Sequence, residues 1–252
     1  MAALVIQTSF LGDLVLTTPL LAELALRGPV DIVTTPAGAP LLAHHPAVRD
    51  VIVFDKRGAH RGPGGLWRLA RALHTRANGE PRMSTTAYLA QGSLRSAVLA
   101  RLAGIPNRIG FDTSAGRLLY TERVRYQKDL HHAERLWRLA VGTAAAPTAE
   151  TIRPRLYPGA QEHAAADAVL ASAPRDGAPF LALAPGSIWG TKRWPHYAAL
   201  AKRIAPLYRL VVIGGKDDAE LAREIISAAG PERVIDATGL ENRSRLHLLD
   251  LP

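Results

Sequence analysis

Residues 184–195 combine the residue types that bind phosphate. The run reads Ala-Pro-Gly-Ser-Ile-Trp-Gly-Thr-Lys-Arg-Trp-Pro and lies between an apolar, strand-like run and a helix-like run. A loop that leads into a helix presents free backbone N–H groups and the positive end of the helix dipole. Lys192 and Arg193 add fixed charge, and Ser187 and Thr191 add hydroxyl donors. The pattern predicts an anion site, but an ordinary strand–helix turn with surface cations remains an alternative.

An acidic residue lies at the carboxyl end of the first predicted strand. The segment Ser-Phe-Leu-Gly-Asp, residues 9–13, follows an apolar run over 3–7. Doubly wound parallel sheets place their sites at such strand ends. Asp13 could therefore act as a general base toward a substrate hydroxyl. The spacing alone leaves a helix N-cap open as the alternative role.

A third motif, Gly-Gly-Lys-Asp-Asp at 214–218, also follows a predicted strand. It resembles a nucleotide-proximal turn, but no G-x-G-x-x-G follows it and the sequence contains no Walker motif. The motif by itself is weak evidence for a nucleotide site, and a strand–helix turn in which Asp217 or Asp218 caps the next helix is the favoured alternative.

The sequence favours chemistry without a metal. Its nine histidines form no H-E-x-x-H motif and there is no cysteine, so no zinc site is predicted. There is also no Asp-x-Asp pair to hold a divalent cation. Many sugar-nucleotide enzymes use such a pair to bind the cation that neutralises their leaving diphosphate. In a sugar-nucleotide enzyme without it, Lys192, arginines and helix N-termini would have to stabilise the negative charge of the diphosphate.

Strand-like and helix-like segments alternate along the chain. The predicted strands cover 3–7, 30–34, 51–54, 87–90, 108–111, 180–184, 209–213 and 233–236. The predicted helices cover 14–24, 66–73, 93–103, 131–141, 196–204 and 219–229, with Pro19 either a kink or a late helix start. Such alternation predicts an α/β fold with parallel sheets. Residues 56–65 are expected to form a mobile loop, and residues 144–158 an interdomain linker.

The composition is that of a globular protein. The 252 residues are 48% hydrophobic with a mean hydropathy of +0.02, enough for one large or two modest domains. A formal net charge of +9 favours phosphorylated substrates, nucleic acid or an anionic membrane surface, unless it reflects coding bias toward arginine. With no basic leader and no run of about 20 apolar residues, we expect a cytoplasmic protein, at most resting on a membrane face.

Together the motifs resemble glycosyltransferase family 9, the bacterial heptosyltransferases that build the inner core of lipopolysaccharide. The resemblance rests on residues 9–13 with 16–21, on residues 185–187 with 191–195, and on residues 213–217. The resemblance extends from the N-terminus to about residue 239. The residues of the 184–195 loop are more similar to those of type II heptosyltransferases than to those of type I.

The resemblance implies a GT-B fold, in which two Rossmann-like halves face each other across a cleft. Residues 1–157 would bind the acceptor, and residues 158–252, an incomplete half, would bind the nucleotide-sugar. Asp13 would take the proton of the acceptor hydroxyl, whose oxygen attacks ADP-heptose opposite the ADP and inverts the configuration. The diphosphate would be bound, without a metal ion, by Lys192, Thr191 and Ser187. The acceptor is the lipopolysaccharide inner core, which carries carboxylates and phosphates; no cofactor and no nucleic acid are implied.

The sequence departs from the family at its C-terminal end. Family members continue past residue 252 and carry an Asp-Ser/Thr-Gly turn that this sequence lacks. We therefore expect an incomplete nucleotide pocket and an uncovered edge on the second sheet. Two alternatives remain: a non-catalytic basic module, in which the Arg-rich stretch 57–71 binds acidic polymers or membranes, and another GT-B sugar-nucleotide enzyme.

Overall fold

The computed structural model describes residues 2–78, 84–171 and 177–239. These residues form two compact units, and the chain passes from one to the other between Tyr157 and Pro158. The segment 240–252, where the sequence departs from the family pattern, lies outside the described residues. Each unit is built on its own parallel sheet.

The first unit contains a six-stranded, fully parallel sheet. Its strands are β1 (Ala2–Ile6), β2 (Val30–Thr34), β3 (Asp50–Val53), β4 (Ser84–Leu89), β5 (Asn107–Phe111) and β6 (Glu122–Val124). The order β3-β2-β1-β4-β5-β6 is that of doubly wound nucleotide-binding folds. The direction of winding reverses between β1 and β4, which is where such folds form their sites.

Helices cover both faces of this sheet. They are α1 (Leu11–Val15), α2 (Thr18–Ala25), α3 (Gly62–Asn78), α4 (Leu94–Leu102) and α5 (His132–Val141). On one face Ile6 and Leu89 of the strands pack with Leu69 of α3 and Leu99 of α4. Helices α2 and α5 pack against each other on the other face, since right-handed crossovers place helices on opposite faces where the winding reverses.

The first unit differs from the sequence prediction mainly in four places, of which one is strand β4, which begins at Ser84, three residues before the predicted start. Instead of one helix over 14–24 there are two, because α1 ends at Val15 and Pro19 lies in the first turn of α2, where its missing N–H costs nothing. Helix α3 begins at Gly62, inside the predicted loop. The short strand β6 was not predicted, because its three residues are mostly exposed and two of them are charged.

The second unit contains the parallel sheet β7-β8-β9. Its elements are α6 (Ala160–Leu170), β7 (Phe180–Leu183), α7 (Tyr197–Ile204), β8 (Arg209–Gly214), α8 (Ala219–Ala229) and β9 (Val234–Thr238). Leu210 and Val212 of β8 pack with α7 and α8, whereas Val211 and Ile213 face Ala166 of α6. Residues 210–213 of β8 are apolar because both faces of the strand are covered, whereas Arg209 at its start is buried and donates to the carbonyl of Glu232. Helix α6 was not predicted.

The fold class is the one that the sequence predicts: α/β, with parallel sheets in two Rossmann-like units. The carboxyl ends of β1, β4 and β5 carry the loops of one candidate site, and those of β7 and β8 carry the loops of another. Among the helices in the described part of the chain, none is both long and apolar enough to cross a membrane.

Candidate active site

A cavity of about 370 Å³ opens at the carboxyl ends of β1, β4 and β5. It lies beside the point where the winding of the first sheet reverses. The polar side chains that line it come from four different segments of the chain, and they include Gln7, Ser9, Asp13, Gln91, Tyr126 and His132. A site of this kind can hold part of a small polar ligand and orient it from several sides.

Asp13 lies at the wall of this cavity, in α1. Its carboxylate is 37% exposed, and Oδ2 accepts a hydrogen bond of 2.8 Å from Ser9 Oγ. The other oxygen, Oδ1, lies 3.8 Å from Nε2 of His132. The N-cap of α1 is Phe10, so the capping role that the spacing left open for Asp13 is wrong. Asp13 instead presents a carboxylate to the cavity.

A set of hydrogen bonds holds the segment around Asp13. The buried side chain of Gln7 accepts from Ser9 Oγ at 2.8 Å and donates to Thr17 Oγ1 at 3.1 Å. Thr17 in turn donates to the carbonyl of Asp13 at 2.7 Å. Because Ser9 has a single hydroxyl proton, it serves either Gln7 or Asp13 at any moment. The network fixes both the backbone and the carboxylate of Asp13.

His132 is a close neighbour of Asp13 that the sequence did not single out. It is the first residue of α5, and its Nδ1 lies 3.2 Å from Nη2 of Arg135. Burial, with help from Arg135 and His131, lowers the pKa of His132, and Asp13 opposes that shift. A pKa lowered in this way favours the neutral ring at neutral pH. The adjacent pair His131–His132 was a signal in the sequence, but no pattern linked it to Asp13.

Arg135 cannot readily turn away from His132. Its Nη1 donates to the carbonyls of Lys128 at 3.1 Å and Leu130 at 2.9 Å. Its guanidinium also lies over the ring of Tyr126, 4.8 Å from the centroid. These contacts fix the arginine from both sides, so it can orient the imidazole that it faces.

A cationic group lies at the same end of β1. Lys56 Nζ donates to the carbonyl of Thr8 at 2.9 Å, and Thr8 Oγ1 donates to Gln91 of the cavity wall. Burial and the nearby guanidinium of Arg95 lower the pKa of Lys56. Positive charge from Lys56 and Arg95 thus lies close to the strand end that leads into the Asp13 loop.

The second unit holds the other predicted site residues, Ser187, Thr191 and Lys192, on the loop that follows β7. Thr191 and Lys192 belong to a single 3₁₀ turn, Gly190–Lys192, and both are exposed. Helix α7 begins at Tyr197, one residue after the predicted start, so the cations precede the helix as the sequence predicts. The effect of the helix dipole is confined to the first turn, so it contributes little at Lys192.

The loop is held mainly by contacts to its own backbone. Arg193 Nε donates to the carbonyl of Ser187 at 2.8 Å, and Tyr197 Oη donates to the carbonyl of Ala184 at 3.1 Å. Ser187 Oγ accepts from the backbone N–H of Trp189 at 3.3 Å, which leaves its own proton available to a ligand. Arg193 thus shapes the loop, whereas the ammonium of Lys192 faces solvent.

The loops after β7 and β8 approach each other closely at Gly186. A Cβ atom at Gly186 would lie 2.3 Å from the carboxylate of Asp218, and one at Gly214 would lie 2.8 Å from the same side chain. Asp218 Oδ2 accepts from the N–H of Gly215 at 2.7 Å. Asp218 occupies the N-cap position of α8, but its carboxylate bonds to this turn rather than to the first turn of the helix.

Two tryptophans on the loop have different surroundings. Trp194 makes edge-on contacts with His196 and Tyr197, at centroid distances of 5.5 and 5.4 Å. Trp189 is 63% exposed, and its neighbour Ile188 is 88% exposed. Exposed apolar surface beside hydroxyl and ammonium groups is typical of a ligand-binding loop.

The described residues contain no group of three or more His, Asp or Glu side chains that could hold a metal ion. Asp13 belongs to the first unit, and the three predicted diphosphate-binding residues share one loop of the second.

The sequence and the fold match known glycosyltransferases. The family model described as glycosyltransferase family 9 (heptosyltransferase) matches residues 67–243. Lipopolysaccharide heptosyltransferase 2 of Salmonella typhimurium is 29% identical over 258 residues, which cover 98% of this chain and 72% of that protein.

Two solved structures are similar to this chain in fold. The E. coli ADP-heptose lipopolysaccharide heptosyltransferase II superposes with a TM-score of 0.78 at 26% identity, over 99% of this chain and 76% of that one. A family 9 glycosyltransferase from Veillonella parvula superposes with a TM-score of 0.83 at 23% identity, over 96% of this chain and 71% of that one. At this identity the similarity supports the fold alone. Because the family model covers well over half of the sequence, the chain belongs to glycosyltransferase family 9 and is a glycosyltransferase.

Proposed function

We propose that this protein transfers heptose from ADP-heptose to the inner core of lipopolysaccharide and inverts the configuration at the anomeric carbon. The observation that carries the proposal is the carboxylate of Asp13, fixed through Oδ2 by Ser9 and presented at the wall of a polar cavity. The names of the similar proteins, lipopolysaccharide heptosyltransferase 2 and ADP-heptose lipopolysaccharide heptosyltransferase II, support the choice of donor and acceptor.

In this proposal Asp13 acts as the general base. It takes the proton of the acceptor hydroxyl as the oxygen bonds to the anomeric carbon of the donor. The bond from that carbon to the diphosphate oxygen breaks, and the electron pair leaves with ADP. Attack opposite the leaving group inverts the configuration.

The donor diphosphate is assigned to Lys192, Thr191 and Ser187. Lys192 supplies a solvent-facing positive charge, while Thr191 and Ser187 supply hydroxyl donors on the same loop. Charge that grows on the departing ADP is stabilised more strongly than the charge of the bound donor, which lowers the barrier. We propose that these side chains act in place of a metal ion.

The acceptor is assigned to the first unit. Lipopolysaccharide core sugars carry carboxylates and phosphates, and Lys56 and Arg95 provide positive charge near the carboxyl end of β1. We extend the proposal to a cytoplasmic protein that at most rests on the inner membrane, where such an acceptor would be reached.

Substitution of Asp13 by Asn tests the base. The amide keeps the shape but cannot take the proton, so turnover with ADP-heptose and an inner-core acceptor should fall by about 100-fold or more. Asp129→Asn, an exposed acid elsewhere in the first unit, is the matched control and should keep wild-type turnover. Normal turnover of Asp13→Asn, with unchanged circular dichroism, would show that another group is the base.

The donor and the mechanism are tested separately. ADP-heptose should raise the melting temperature of the chain, and a UDP-sugar should not. The product should have the anomeric configuration opposite to that of the donor by NMR, and turnover should survive EDTA. Protection by the UDP-sugar alone would favour another sugar-nucleotide enzyme, and salt-sensitive binding to acidic polymers without protection by either donor would favour a basic binding module.

A further inference from the structure

The two ring nitrogens of His132 face groups of opposite charge. Arg135 lies on the Nδ1 side at 3.2 Å, and the carboxylate of Asp13 lies on the Nε2 side at 3.8 Å. A guanidinium can only donate hydrogen bonds, so Nδ1 must accept. The neutral imidazole therefore carries its proton on Nε2 and directs it toward Asp13.

The gap between His132 and Asp13 is the size that suits a shared oxygen. A separation of 3.8 Å is too long for a good N–H···O hydrogen bond. An oxygen placed to the side of this line can lie within about 3 Å of both groups. Because both side chains line the same cavity, that oxygen would be reached by a ligand within it.

We propose that His132 orients the acceptor hydroxyl by donating its Nε2–H to the hydroxyl oxygen while that hydroxyl donates to Asp13 Oδ1. This inference rests on the proposed function, in which Asp13 is the base. Two directional bonds fix the position of the attacking oxygen and aim a remaining lone pair at the donor.

The proton and electron balance leaves His132 unchanged. The O–H bond of the acceptor breaks and its proton passes to Asp13 Oδ1. The oxygen lone pair forms the new bond to the sugar, and the pair of the broken sugar–phosphate bond leaves with ADP. His132 keeps its proton throughout, so it positions the nucleophile and does not act as a second base.

The surroundings of His132 favour a neutral ring that donates a hydrogen bond over a charged ring that forms an ion pair with Asp13. The titratable groups around it are Asp13 on α1, Arg135 on α5, His131 at the N-cap of α5, and Tyr126, which lines the same cavity. Burial is the largest influence on the imidazole, and it favours the neutral form. A neutral imidazole in the Nε2–H form is a hydrogen-bond donor without charge.

NMR of the imidazole tests the geometry without any turnover. In ¹⁵N spectra of the whole chain, His132 should be the Nε2–H tautomer at neutral pH. Asp13→Asn should lower its pKa further, and Arg135→Gln should raise it, because these neighbours shift it in opposite directions. Glu134→Gln, on the same helix and paired with Arg138, is the control and should leave it unchanged. A neutral ring protonated on Nδ1 would overturn the inference.

Kinetics test the role in transfer. His132→Leu should lower kcat/KM roughly 10- to 100-fold, the scale of one lost hydrogen bond to a reacting group. His132→Gln should stay within about five-fold of wild type, because its amide can accept from Arg135 and donate at the position of Nε2. His131→Asn keeps an acceptor for the N–H of Ala133 at the N-cap of α5, so it should behave as wild type.

The failures of the two proposals are distinguishable. If Asp13→Asn retains turnover, the assignment of the base fails, whatever the tautomer of His132. If Asp13→Asn is inactive but His132→Leu and His132→Gln both match wild type, with circular dichroism unchanged, the base stands and the role of His132 is excluded. Equal losses of kcat/KM in His132→Leu and His132→Gln would indicate that His132 acts through packing, which would also overturn the proposed role of His132.

Discussion

The loop around Asp13 and the loop around Lys192 serve one proposed reaction but are built in different ways. Asp13 is held by side chains: Ser9 donates to its carboxylate, Thr17 donates to its carbonyl, and Gln7 bonds both Ser9 and Thr17. Lys192 stands exposed on a short 3₁₀ turn, and its loop is held by backbone contacts and close packing at Gly186.

The difference follows from what each loop must do. A general base must be aimed at one proton, and this requires a carboxylate whose orientation is fixed by neighbouring side chains. A diphosphate spreads its charge over several oxygens. An exposed cation and hydroxyl groups can therefore bind it, provided that the backbone of their loop keeps its conformation. The first loop should therefore be sensitive to polar substitutions, and the second to changes in backbone packing.

The largest expected effect on stability lies in the first unit, at the buried His45. Burial lowers its pKa to about 4, and its Nδ1 accepts from the N–H of Ala47. Between pH 6.5 and about 4 the unfolded chain binds this proton and the folded chain does not, so stability falls as the pH falls through that window, by about 3 kcal/mol at most.

His45→Asn tests this dependence, because asparagine keeps an acceptor for Ala47 and does not titrate. Urea unfolding at pH 7 and pH 4 should show a smaller loss of stability on acidification in this variant than in wild type. His44→Asn, at the exposed neighbouring position, should retain the wild-type loss. Equal pH dependence in all three proteins would show that the protonated imidazole is tolerated in the fold.

The next largest effect on stability compares how tightly the backbones of the two loops are packed. Gly186→Ala places a methyl group against the carboxylate of Asp218 and should cost about 1–3 kcal/mol. Gly12→Ala, one residue before Asp13, meets nothing within 4 Å and should be neutral or stabilising, because it lies in a helix. Urea unfolding measures both. If the cost of Gly186→Ala is the same in an Asp218→Ala background, the contact does not cause it.

A smaller effect concerns the charge on the exposed loop. Lys192→Ala should weaken binding of ADP about ten-fold at low salt, and the difference should shrink at high salt, because an exposed charge is screened. Lys202→Ala removes an exposed lysine from α7 and should not change ADP affinity. Titration calorimetry measures both. Equal affinities for all three proteins would remove Lys192 from the diphosphate site.

The smallest expected effect is at Trp189. Because its indole is 63% exposed, Trp189→Ala should change stability by no more than about 0.5 kcal/mol. Trp194→Ala should cost about 1 kcal/mol, since it loses its edge-on contacts with His196 and Tyr197. Similar costs for the two variants, measured by urea unfolding, would mean that the tryptophans are packed alike.

Local pattern predicted the main elements well. Strand β2 and helix α8 span the predicted residues, because each has a clear apolar pattern bounded by proline or glycine. Strand β6 could not be found in this way, since an exposed three-residue edge strand has no apolar pattern. Helix α6 is alanine-rich and follows the predicted linker closely, so its periodicity was too weak to separate it from that linker.

The candidate site was predicted only in part. The position of Asp13 after the first strand was visible, but the choice between a helix cap and a cavity-facing carboxylate depended on where α1 begins. The contact between Asp13 and His132 joins residues far apart in the chain, and no spacing reports it. The approach of Gly186 to Asp218 likewise depends on the pairing of β7 with β8.

The sequence by itself determined the alternation of strands and helices, the polar loops at the strand ends, and the chemical groups that those loops carry. Apolar periodicity is a local property, and it reports how each segment is buried. The tertiary structure decided which groups meet: Ser9, His132 and Arg135 around Asp13, and Asp218 beneath the loop of Lys192. Those contacts depend on strand order, crossovers and helix starts, which are set by the packing of the whole unit.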